Sequence, residues 1–130
     1  MWKCPDCSFD QNSAETMECV GCGYLLFQPL KLVSEDTGKE RILKLKLDCG
    51  RGLLQSFAGD SARYAAEPQF RVYPNSEKEW IIEKIPDLKN PTFHNGAEPT
   101  DDQLALKDGD VISIGSRTSD KQIMKLKVHL

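Results

Sequence analysis

From residue 31 onward the chain is written in short runs of alternating apolar and polar residues, cut by turn formers. Residues 31–34 and 41–47 predict strands. The second puts Leu43, Leu45 and Leu47 on one face and Ile42, Lys44 and Lys46 on the other. Residues 35–39 (EDTGK) form the hairpin loop between them. With 48–52 read as a turn, 53–57 becomes a third strand. Residues 58–66, small and charged, read as a mobile loop. Strands follow at 69–72 and 80–85. Residues 90–96 (NPTFHNG) form a turn, a short strand step and a second turn, because Asn90, Asn95 and Gly96 tolerate left-handed backbone. Residues 107–110 (KDGD) turn the chain into the β-branched strand 111–114, and 121–129 alternates cleanly to the end.

Before residue 31 this texture is absent, and cysteine takes over. Four of the five cysteines fall in the first 22 residues as two pairs, Cys4/Cys7 and Cys19/Cys22, with eleven residues between the pairs; Cys49 stands alone. Two Cys-x-x-Cys turns aim four thiolates at one point and complete a tetrahedral site. A segment this short cannot bury a core, so metal binding must supply its folding free energy. The expectation is Zn2+ held by Cys4, Cys7, Cys19 and Cys22. Four protein ligands leave no open position, so the role is structural rather than catalytic. A rubredoxin-like iron site is the competing reading of the same four thiolates. An odd cysteine count with short spacings fits a reducing compartment better than a disulfide framework.

At 130 residues the chain fits one medium domain, or a mini-module followed by a domain of about 100 residues. The expected division is 1–26 and 27–130. Residues 24–29 are too few for a free linker, so the two parts should lie close together. No apolar run approaches the roughly 20 residues that span a bilayer. The first residues lack the apolar stretch of a signal peptide, which points to a soluble cytoplasmic protein without membrane contact. Residues 1–26 carry one lysine against four acids, while 27–130 balance at 16 of each sign. Neither part has the basic stripe that nucleic-acid binding requires.

Trp2 and Asn12, set around the cysteines, resemble the Ran-binding-protein class of zinc finger, W-x-C-x2-C-x3-N-x6-C-x2-C, with one extra residue between Cys7 and Asn12. Members of that class bind single-stranded RNA or ubiquitin. RNA binding there uses arginines, and this segment has none. A four-thiolate zinc site also adds about −2 to an acidic segment. Ser8 and Phe9 stand near the Thr-Phe of ubiquitin-binding members, but the later apolar partner is off by one. Phe9 and Trp2 read as packing around the metal, and a generic zinc ribbon is the plainer description.

The rest of the chain resembles the forkhead-associated domain, through residues 90–96 and 104–115 (LALKDGDVISIG) above all. The resemblance implies an antiparallel β-sandwich, non-enzymatic, whose loops at one end bind phosphothreonine peptides. It places Arg51, in the Gly50–Arg51 pair, as the ion-pair partner of the phosphate. It places Asn90 against the peptide backbone, Lys89 as added positive charge, and Thr92, in the turn that follows, as the last of the peptide-binding residues. Asp48 and Cys49 leave too little chain for the turn and strand that the family has before its Gly-Arg pair; Arg63 is the nearest other cation. Registering Val72 on the family's S-R-x-H-A-x-I puts Ala66 on the serine, Glu67 on the arginine and Gln69 on the histidine. Ala66 has no hydroxyl for a phosphate. Glu67 adds a like charge, which at about 6–8 Å and an effective dielectric near 20 costs on the order of several kcal/mol against a dianion. Gln69 can take over part of the histidine's bracing role. Leu88 and Pro91 also depart from the pattern. His94 and His129 have no partners at catalytic or metal-binding spacing. The expected function is a signalling adaptor that binds a protein partner through a phosphothreonine peptide. The alternative is a degenerate scaffold that binds an unphosphorylated surface.

Overall fold

The computed structural model describes residues 1–14, 16, 18–26, 28–44, 46–75, 77–116 and 119–130. Leu45, which the alternation places on an apolar face, and Phe27, within the tether 24–29, lie outside the described residues. Among the described residues nine strands make two sheets: β1 (Leu30–Ser34), β2 (Glu40–Leu43), β3 (Leu47–Cys49), β4 (Phe70–Pro74), β5 (Trp80–Lys84), β6 (Thr92–His94), β7 (Gln103–Ala105), β8 (Val111–Ser116) and β9 (Ser119–His129). One sheet runs β2-β1-β9-β8-β6 and the other β3-β4-β5-β7. All these pairings are antiparallel.

The inward residues of the two sheets face each other. Leu30, Leu32, Ile112, Ile114, Leu126 and Val128 come from the first sheet and Phe70, Val72, Trp80 and Ile82 from the second. Along β1 and β4 buried and half-buried positions alternate, as a sheet with one face on a core requires. β8 and β9 slip register between Ile112 and Ile114. Met124, at φ 54°, is the extra residue's local consequence, a bulge that bends the long last strand.

Three expectations need correction. The run 41–47 is not one strand. It ends in β2 at Leu43, and Leu47 begins β3 in the other sheet, paired with Val72. This supplies the further strand before Gly50–Arg51 that a single strand 41–47 leaves no room for. Residues 53–57 are not a strand either. They lie in α1 (Arg51–Ala58), with Leu54, Phe57 and Ala58 buried at helical spacing. The stretch expected as a loop continues as a 3-10 turn over Asp60–Tyr64, and Ala62 and Ala65 enter the core beside α1. The small residues of 58–66 therefore serve close packing.

Candidate functional site

The first cluster is built by two tight turns. Ser8 N–H donates to the Cys4 carbonyl at 3.0 Å, and Gly23 N–H to the Cys19 carbonyl at 2.9 Å, with Gly23 at φ 81°. The amides of Asp6 and Cys7 both point at Cys4 Sγ, each at 3.4 Å. The four sulfurs lie within 4.8 Å of one another. Cys4 and Cys22 are 3.7 Å apart and Cys7 and Cys19 3.6 Å. A tetrahedron with metal–sulfur bonds of about 2.3 Å has edges of about 3.8 Å, so these separations suit a single ion.

Asn12 and Trp2 hold the turns together. Trp2 N–H donates to the Asn12 carbonyl at 2.9 Å, and its indole Nε1 to the Thr16 carbonyl at 2.9 Å. Asn12 is fully buried and its Oδ1 accepts from Val20 N–H at 2.9 Å. Its Nδ2 has no hydrogen-bond partner among the described residues. Burial acts to raise the Cys19 thiol, but the Asn12 amide and the backbone N–H groups of Cys22 and Gly21 outweigh it and bring Cys19 down to about 6. A thiolate at Cys19 would accept the idle amide hydrogen. The Tyr24 backbone N–H draws Cys22 down, yet its sulfur neighbours and burial push it up to about 12. Four sulfurs this close resist joint ionisation unless a cation neutralises them, and a metal ion does that. Cys49, by contrast, is buried in the sandwich; desolvation, then the Asp48 charge, push its thiol up to about 12, so it is inert.

The second cluster lies where three loops meet at one end of the sandwich. Arg51, exposed at the head of α1, donates from Nε to the Ala65 carbonyl at 3.0 Å. Asn90 Nδ2 donates to the neighbouring carbonyl, that of Tyr64, at 3.4 Å. Two residues distant in sequence thus meet on consecutive peptide groups. Arg51 has no carboxylate partner among the described residues, so its charge stays available. Lys89 is exposed beside Asn90. Arg63 stacks on Tyr64, 4.8 Å from the ring centroid, and its Nη2 donates to Tyr64 Oη at 2.8 Å, so this cation is already engaged.

Thr92 must be reassigned. It is 3% exposed, and its hydroxyl is spent on Gln69: Oγ1 donates to the Gln69 carbonyl at 3.1 Å and accepts from Gln69 Nε2 at 3.0 Å. It cannot touch a peptide and instead braces the loops. Gln69, fully buried, also donates to the Asn90 carbonyl at 2.9 Å and accepts from Ala66 N–H at 2.8 Å. One amide ties the loop at Ala66 to the loop at Asn90. Glu67, whose peptide bond to Pro68 is cis, turns its carboxylate onto the first amides of α1: Oε1 accepts from Gly52 N–H at 2.8 Å. The alignment of residues 66–72 puts Glu67 near the site but does not reveal this bond, because the sequence reads Gly52 as part of a turn at 48–52 rather than as the start of a helix. Tyr64 was missed altogether, since a lone exposed tyrosine in a loop carries no pattern.

His94 and Asp110 form a pair at 2.8 Å that locks the turns at 94–97 and 107–110. Asn95 Nδ2 donates to Asp110 Oδ1 at 3.1 Å and Lys107 N–H to Oδ2 at 2.9 Å. These groups serve the fold of the strand ends.

No protein-family profile matches the chain, and no curated protein matches it in sequence. Among solved structures it is similar to the solution structure of the forkhead-associated (FHA) domain of an Arabidopsis thaliana hypothetical protein. That likeness has a TM-score of 0.59 and 18% identity, over 92% of this chain and 92% of that chain. It is also similar, with a TM-score of 0.59 and 18% identity, to a chain from a structural and functional analysis of phosphothreonine-dependent FHA domain interactions, over 79% of this chain and 97% of that one. The two-sheet sandwich therefore has the fold of the forkhead-associated domain.

Proposed function

We propose that the chain is a non-enzymatic adaptor: a zinc ribbon, residues 1–26, fused to a forkhead-associated sandwich, residues 27–130, that captures a phosphothreonine peptide on its loop tips. The carrying observation is the convergence of Arg51 and Asn90 on the Tyr64 and Ala65 carbonyls, with no carboxylate on Arg51 among the described residues. A guanidinium held by one nitrogen keeps its other donors for a phosphate fork. Asn90 and Lys89 then meet the peptide backbone and the remaining charge. That one structural neighbour comes from a study of phosphothreonine-dependent FHA domain interactions supports this assignment. The ribbon takes Zn2+ on Cys4, Cys7, Cys19 and Cys22, a site suited to the reducing cytoplasm.

Titration against a phosphothreonine peptide library beside its unphosphorylated copy tests the reading. Binding confined to the phosphorylated pool, and abolished by Arg51→Ala, is expected. Equal binding of both pools would establish the second reading, an unphosphorylated protein surface, which Ala66 and the Glu67 carboxylate favour. Metal analysis decides the ribbon: one colourless zinc per chain is expected, and an iron chromophore would make it a redox centre.

A further inference from the structure

Helix α1 begins with Gly50 as its cap and has neither a side-chain cap of its own nor an acid in its first turn. The capping group comes from another loop. Glu67 Oε1 accepts from Gly52 N–H at 2.8 Å, and the same carboxylate presses on Gly50. A Cβ at Gly50 would stand 1.9 Å from Glu67 Oε2 and 2.5 Å from its Cδ. The backbone at Gly50 is thus open in just the place this carboxylate fills, and Arg51, next in the chain, has no carboxylate partner among the described residues. A carboxylate therefore already stands on the Gly52 amide, one residue along the chain from Arg51.

We propose that Glu67 is a specificity-determining residue: its carboxylate occupies the anion position at the head of α1 in the free protein and yields only to a group of higher charge. The proposal rests on the phosphopeptide reading. A phosphothreonine carries about −1.5 to −2 at neutral pH and three acceptor oxygens, and so can take the Gly52 amide from a single carboxylate while also pairing with Arg51, which Glu67 does not hold. An aspartate or glutamate of a partner brings no more charge than Glu67 and gains nothing by the exchange. The loop end would therefore discriminate phosphothreonine from acidic residues more sharply than Arg51 alone could.

The test uses the full zinc-loaded chain and three degenerate peptide pools, centred on phosphothreonine, aspartate and threonine. Glu67→Gln is isosteric and keeps an acceptor for Gly52, so it removes the charge without uncapping α1. Expected are about tenfold tighter binding of the phosphothreonine pool and new binding of the aspartate pool, with the threonine pool still silent. Gly50→Ala, which evicts the carboxylate by contact, should shift affinity the same way. In the unaltered protein the Gly52 amide resonance should move when the phosphothreonine pool is added. Wild-type binding left unchanged or weakened by Glu67→Gln overturns this role and leaves the phosphopeptide reading intact. Silence of wild type and variant alike towards the phosphothreonine pool overturns both.

Discussion

Gln69 shows how one side chain can hold a loop end together. Its amide makes three hydrogen bonds with no solvent access, to Ala66 N–H, the Asn90 carbonyl and the Thr92 hydroxyl. Truncation to alanine strands the Ala66 N–H and the Asn90 carbonyl, while the Thr92 hydroxyl keeps only its bond to the Gln69 carbonyl, and each buried unsatisfied group costs about 1–3 kcal/mol. Gln69→Ala should therefore lose about 3 kcal/mol or more in urea unfolding and, by freeing Asn90, weaken any peptide binding. A loss below about 1 kcal/mol would show that water replaces the brace. Asp110 acts at the other end of β6. Burial raises its carboxyl, but the hydrogen bonds from His94, the Lys107 amide and Asn95 outweigh this and hold it below the usual carboxylate range. A depressed folded-state pKa contributes stability that is complete above the unfolded value, about 3.9, and is lost as pH falls through the folded one. Asp110→Asn should cost about 2 kcal/mol at pH 7 and progressively less below pH 4. Parallel stability curves for wild type and variant across that range would remove Asp110 from the account.

At the scale of elements, period-2 alternation locates strands but is blind to which sheet they join. Residues 43–47 alternate without a break, yet the chain changes sheet between Leu43 and Leu47. Nothing in the alternation marks the crossing, because Leu43 and Leu47 face one shared core from opposite sides. Helix α1 was illegible for a related reason. Eight residues with Leu53, Leu54 and Phe57 satisfy a strand nearly as well as two turns of helix, and α1 is decided by the buried seat of Leu54, Phe57 and Ala58. The strands β6 and β8 meet through a bare position. A Cβ on Gly115 would fall 2.7–2.9 Å from the Phe93 ring. Gly115→Ala should cost about 1 kcal/mol or more through overpacking. In a Phe93→Ala background the same change should cost close to nothing, a coupling that a double-mutant cycle measures directly.

For the whole molecule, the cysteine cluster and the sandwich rest on different physics. Among the described residues of 1–26 there is no buried apolar cluster, whereas the sandwich buries a continuous one. Contacts join them: Leu26 packs on the core, and Lys44 pairs with Glu18 at 2.9 Å. That pair is nearly half exposed on both sides, so Lys44→Ala should change stability by less than about 1 kcal/mol. Chelation should collapse the amide dispersion of residues 1–26 while the sandwich signals remain. Unchanged dispersion in that segment after complete metal removal would contradict a metal-held ribbon.

Local chemistry was enough to read two things from the chain: four cysteines at knuckle spacing must converge, and alternating runs with glycine and asparagine turns must form antiparallel strands. Both are short-range requirements of backbone geometry and thiolate coordination. The partners of Arg51, Asn90, Gln69 and Glu67 were decided only by the tertiary structure. Each meets groups more than a dozen residues away, such as Gly52 for Glu67 and Tyr64 for Asn90, or is tied across loops as Gln69 is to Asn90. Such meetings depend on how two sheets stack and where a short helix finds room, and no local pattern encodes that.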